Sequence, residues 1–84
     1  MTPDQLFEFA DKYARQAEAD GRGTRYPTFR EVARHFRVTH AAIEQACEDW
    51  DSAKGYLQPA VGIKVGNSVG EFARKGEYLV EAYV

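Results

Sequence analysis

The sequence is poor in cysteine and in long apolar runs. One cysteine stands among 84 residues, and a lone cysteine cannot form an internal disulfide. No apolar run approaches the ~18 residues that a membrane-spanning helix needs. The N-terminal stretch MTPDQLFEFADKYAR has early acids and lacks the basic-then-apolar pattern of a secretory signal. We therefore expect a cytoplasmic protein with no membrane partner.

The charge is nearly balanced overall but strongly segregated along the chain. The net charge is −2 at pH 7. Residues 22–40 contain five arginines against one acid, Glu31, whereas residues 41–51 contain four acids and no base. Local charge, rather than the total, decides what a surface attracts. The length and the ordinary apolar content predict one small folded domain over residues 1–84.

The stretch from Pro27 to Trp50 predicts two short helices joined by a tight turn. Thr28 and Glu31 form a capping box at the start of the first helix, and Thr39 can cap the second. In each helix, apolar residues recur at the i, i+3, i+4, i+7 spacing of one helical face. These residues are Phe29, Val32, Ala33 and Phe36 in the first helix, and Ile43, Ala46, Cys47 and Trp50 in the second. We therefore predict a helix-turn-helix over about residues 28–53.

The flanking segments predict one more helix and a pair of strands. Thr2, Pro3 and Gln5 mark a helix start, and Gly21 suits the left-handed position that ends that helix. Residues 24–26 suit a short extended strand. Apolar residues then alternate along residues 61–65 and 78–84, which predicts two antiparallel strands. A long glycine-containing loop joins them, giving a hairpin over about residues 57–84.

The predicted order is helix, short strand, helix, helix, strand, long loop, strand. This order, with the motif EVARHFRVTHAAIEQA, resembles the winged helix-turn-helix superfamily, an α+β fold whose hairpin loop is called the wing. One position departs from it, because Arg37 stands where many members have glycine. We expect a lengthened turn there, since a left-handed arginine would be strained. The resemblance implies binding to double-stranded DNA, with the second helix of the motif in the major groove.

The candidate contacts with DNA fall into two groups. Exposed positions on the second helix of the motif are candidates for base readout: Thr39, His40, Ala41, Glu44 and Gln45. Basic residues on the first helix, the connector and the wing are candidates for phosphate contact: Arg25, Arg30, Arg34, Arg37, Arg74 and Lys75. The same polar face can instead be a solvated surface, and the same arginines can pair with surface acids.

Two functions remain open from the residues. The first is a small sequence-specific transcriptional regulator, a repressor that occupies its site, acting as a homodimer and associated with the nucleoid if bacterial. The second is a protein-interaction module that uses the acidic face of the second motif helix. Glu44 and Glu48 on that helix repel phosphate and favour the second function.

Other chemistry finds little support in the sequence. His35, His40 and Cys47 are potential zinc ligands, but Cys47 faces inward, His35 lies on the other helix and no fourth ligand is evident. Phe72, in the wing loop, is either a contact residue or folded back on the hairpin. No serine-histidine-acid set accompanies a plausible pocket. We therefore expect a protein that is not an enzyme and needs no cofactor.

Overall fold

The computed structural model describes residues 1–52, 62–67 and 77–83. Within these residues the chain is a small α+β fold of three helices and a two-stranded antiparallel sheet. The elements are α1 (Pro3–Ala19), α2 (Phe29–Phe36), α3 (His40–Trp50), β1 (Gly62–Asn67) and β2 (Tyr78–Tyr83). No helix in these ranges is both long enough and apolar enough to cross a membrane.

Helix α1 begins and ends where the sequence predicts. The Thr2 hydroxyl accepts a hydrogen bond from the backbone N–H of Gln5 at 3.1 Å, and the Gln5 side chain accepts from the backbone N–H of Thr2 at 2.8 Å. At the other end, Gly21 takes a left-handed φ of 76°, which turns the chain away from the helix. The backbone N–H of Arg22 then donates to the carbonyl of Ala17 at 2.9 Å. Both ends of α1 are therefore set by local side-chain and backbone chemistry.

The structure of the turn between α2 and α3 contradicts one prediction. The turn is not lengthened: Arg37 adopts the left-handed conformation itself, with φ 56° and ψ 50°. Its backbone N–H and that of Val38 both donate to the carbonyl of Ala33. These two bonds satisfy the Ala33 carbonyl, one of those that the helix end leaves unpaired, and offset the strain of a non-glycine residue there. Thr39 then caps α3, with its hydroxyl accepting from the backbone N–H of Ala42 at 3.1 Å.

The two predicted antiparallel strands are present as β1 and β2, but the short strand predicted between α1 and α2 is not. Strands β1 and β2 pair in an antiparallel register in which Ile63 faces Ala82 and Val65 faces Val80. The short strand predicted over residues 24–26 does not form. Instead, one isolated bridge links Thr28 to Leu79, and the N–H of Val80 donates to the carbonyl of Pro27 at 2.9 Å. Proline has no N–H to return to the ladder, so pairing is confined to this point.

One core joins the helices to the sheet. Its largest fully buried side chains come from every element and from the segment just before α2: Leu6, Pro27, Phe29, Val32, Ile43, Ile63 and Val80. The Trp50 ring, only 4% exposed, stacks on Phe7 with ring centroids 5.2 Å apart and so fastens α3 to α1. The apolar faces predicted for α2 and α3 are confirmed as inward-facing, although Ala33 and Phe36 are only half-buried. This packing fixes which faces of α2 and α3 meet solvent.

Candidate nucleic-acid interface

Three arginines form an exposed line along α2 and its end. Arg30, Arg34 and Arg37 are spaced at i, i+4 and i+7 and all three are exposed, whereas Phe29 and Val32 of the same helix are buried. None of the three makes an ion pair with another described residue. We call these three residues the α2 arginine stripe. These exposed side chains offer guanidinium hydrogen-bond donors to an anion.

Other arginines behave differently from the stripe. Arg15 pairs with Asp11 at 2.9 Å, and Arg22 pairs with Asp20 at 3.5 Å. Arg25 is exposed, and its Nε donates to the backbone carbonyl of Arg22 at 3.1 Å. That bond leaves the terminal nitrogens of Arg25 available. The alternative in which the stripe arginines pair with surface acids is therefore not seen among the described residues, although Arg15 and Arg22 do pair with acids.

The exposed face of α3 carries the residues predicted for base readout. Thr39, Ala41 and Gln45 are exposed, whereas His40 and Glu44 are half-buried. The His40 ring meets the edge of Phe29 with centroids 5.9 Å apart, which holds it at the start of α3. The Gln45 amide donates to the Asp49 carboxylate at 2.9 Å. This bond uses one N–H of the amide, and the second N–H and the amide oxygen remain for a base edge.

The outer surface of α3 is acidic. Glu48, Asp49 and Asp51 are exposed, and Glu44 lies beside them. Burial, and then the charges of Asp51, Glu44 and Glu48, raise the pKa of Cys47 to about 11. The Cys47 thiol is therefore protonated at neutral pH and is a poor nucleophile or metal ligand. The acids also repel phosphate, so attraction to DNA must come from outside α3.

The two histidines serve separate aromatic contacts. The His35 ring stacks on Phe9 with centroids 4.3 Å apart, while His40 contacts Phe29. In the described part of the chain, no three histidine, cysteine or acidic side chains are grouped closely enough to hold a metal ion. Three candidate residues of the hairpin loop, Phe72, Arg74 and Lys75, lie outside the described residues.

Two features near the candidate interface are missing from the sequence-based prediction. The Glu31 carboxylate caps α2 and also contacts Tyr13 of α1, which raises the pKa of Tyr13 above its usual value. The rings of Phe9, His35 and Phe36 meet between α1 and α2. Both features join residues that are distant in sequence, so helical periodicity alone gives no sign of them. The sequence predicts Phe36 only as part of an apolar helix face.

Comparison with models of known protein families, with curated proteins and with solved structures gives no match to this chain.

Proposed function

We propose that the protein is a winged helix-turn-helix domain that binds double-stranded DNA in a sequence-specific way and represses transcription by occupying its site. One observation carries the proposal. The exposed α2 arginine stripe, with no ion-pair partner among the described residues, ends at the left-handed turn that leads into α3. Docking of α3 in the major groove brings the preceding helix across the DNA backbone, where a row of arginines binds phosphates.

Base recognition is assigned to the first half of α3. Gln45 pairs with an adenine edge through its amide, and Glu44 accepts a hydrogen bond from cytosine. Thr39 and His40 lie at the start of the helix and reach a base or a phosphate. Ala41 presents a methyl group suited to a thymine methyl. Arg25, and Arg74 and Lys75 of the wing loop, add phosphate contacts.

A homodimer is part of the proposal. A single small winged helix buries modest surface on DNA, and only a few arginines support it. Two copies on a two-fold symmetric site double both the base contacts and the phosphate contacts. The site selected from a randomised pool should therefore contain two inverted half-sites.

The test is a fluorescence-anisotropy titration of duplex DNA at several salt concentrations. The double variant Arg30→Ala/Arg34→Ala should bind more weakly to every sequence, and its log K against log salt slope should be shallower by about two per copy. Arg15→Ala, which removes an exposed arginine from α1, is the matched control and should leave the slope unchanged. Gln45→Ala should instead change base preference. Equal slopes for the double variant and the parent would overturn the docking arrangement.

A second function, protein binding through α3, is favoured by one specific observation. Four acids cluster on or beside the exposed surface of α3, and one of them already engages Gln45. Such a surface suits a basic protein partner. The substitution Glu48→Lys separates the two functions, because it should strengthen DNA binding under the first and abolish capture of a protein from nuclease-treated lysate under the second.

A further inference from the structure

An aromatic cluster on the surface between α1 and α2 has no role in the proposed DNA contact. The Phe9 ring stacks on His35 at 4.3 Å and meets the edge of Phe36 at 5.4 Å between centroids. His35 is exposed, and both phenylalanines are only half-buried. His35 sits next to Arg34 in sequence, but it turns toward α1 while the arginine stripe points outward. The cluster is therefore a surface separate from the stripe.

This cluster forms one side of a shallow groove of about 410 Å³. We call it the aromatic groove, and its lining residues are Gln5, Glu8, Phe9, Lys12, His35 and Phe36. The groove is apolar at the rings and polar at the rim. Apolar surface rimmed by polar groups is typical of a protein contact.

The rim charges indicate which partner fits. Glu8 and Lys12 are one helical turn apart on α1, both are exposed, and neither makes an ion pair with another described residue. When two copies of α1 pack antiparallel about a two-fold axis level with Ala10, Glu8 of each copy lies opposite Lys12 of the other. A two-fold contact must be self-complementary, and this arrangement forms two ion pairs at once.

We propose that the aromatic groove is the homodimer contact, with α1 of each copy packed antiparallel across α1 of the other. The two sets of rings bury one another at the centre, and the two Glu8–Lys12 pairs close the rim. This inference rests on the homodimer in the proposed function and specifies its surface. It does not require DNA, so the contact can be tested without any DNA present.

The experiment is sedimentation equilibrium of the full chain at low salt, over a concentration series. The parent should dimerise. Glu8→Lys and Lys12→Glu should each dimerise about tenfold more weakly, since each places like charges together twice. An equimolar mixture of these two variants should regain the parent's dimerisation, because every rim contact between unlike copies is then between opposite charges. Glu18→Lys and Arg15→Glu make the same charge changes elsewhere on α1 and should dimerise like the parent.

A substitution at the centre of the groove provides an independent check. His35→Ala removes an exposed ring, so the fold is retained while the dimer weakens by at least tenfold. A parent that stays monomeric at high concentration, or a mixture that dimerises no better than its components, would overturn the groove as the contact. A monomeric parent that still binds DNA with the salt dependence described above would overturn the dimer contact alone. Loss of that salt dependence in a dimeric protein would overturn only the DNA function.

Discussion

Arg37 holds a strained left-handed backbone and is also proposed to contact a DNA phosphate, and two substitutions can separate these effects. A non-glycine residue in the left-handed conformation costs about 1–2 kcal/mol, and Arg37 adopts that conformation at φ 56°. Glycine removes this cost but gains freedom in the unfolded chain, which costs about 0.5–1 kcal/mol. We therefore expect Arg37→Gly to raise the free energy of unfolding by about 1 kcal/mol. For a domain of this size, that is a rise in Tm of about 4–8 °C.

Arg37→Ala is the matched comparison. Alanine also removes the guanidinium, but it keeps the strained backbone, so its stability should stay close to that of the parent. Both variants should lose the same DNA affinity, because both lose one phosphate contact and about 0.9 of salt slope per copy. Thermal and urea unfolding measure the stabilities, and anisotropy measures the binding. Equal stability of the glycine and alanine variants would refute the assigned backbone strain, and undiminished DNA binding by both would refute the phosphate contact.

Three further predictions concern stability alone. Thr28→Ala removes the cap of α2 and should lower the free energy of unfolding by about 1 kcal/mol, while Thr28→Ser should retain most of it by urea unfolding. Gly62→Ala would place a Cβ 2.5 Å from the Nε1 of buried Trp50, so it should destabilise the fold by about 1–3 kcal/mol. The pKa of the Cys47 thiol is raised from 9.0 to about 11 in the folded protein. Retention of the proton therefore stabilises the fold relative to the unfolded chain below pH 9, and this contribution is lost as the pH rises toward 11. Unfolding of Cys47→Ala followed against pH should lack that loss, and a thiol reagent at pH 8 should label parent Cys47 only at the rate of opening.

The helices could be predicted from sequence because their signals are local. The capping boxes at Thr2 and Thr28 and the left-handed Gly21 lie within a few residues of the backbone groups they satisfy. The inward faces follow from a 3.6-residue period, and Trp50 is buried as that period requires. The antiparallel hairpin follows from a two-residue period that matches the pairing of Ile63 with Ala82.

The errors arose where residue types and periodicity do not decide between alternative turn geometries or strand pairings. Arg37 was expected to avoid a left-handed conformation, but two backbone hydrogen bonds to Ala33 and the cap at Thr39 make the short turn acceptable. The strand over residues 24–26 has suitable residue types, yet its pairing with β2 stops at Thr28. For the candidate site, periodicity places the arginine stripe on an exposed face. It cannot show that Gln45 bonds to Asp49, since local helix geometry permits several rotamers of both side chains.

Because α2 is basic and α3 is acidic, the proposed DNA binding depends on the proposed homodimer. If Arg25 and the three stripe arginines each neutralise one phosphate, these four alone give a salt slope of about −3.6 per copy, and a rise from 50 to 200 mM salt then weakens binding about 10²-fold. The α3 acids weaken the attraction further. A monomer therefore holds DNA poorly at cellular salt and depends on base contacts for its affinity. A dimer doubles the slope, so the same rise in salt weakens binding about 10⁴-fold, but it also doubles the base contacts. Repulsion by α3 then penalises every sequence equally, and only a site that satisfies both reading helices recovers enough free energy to stay occupied.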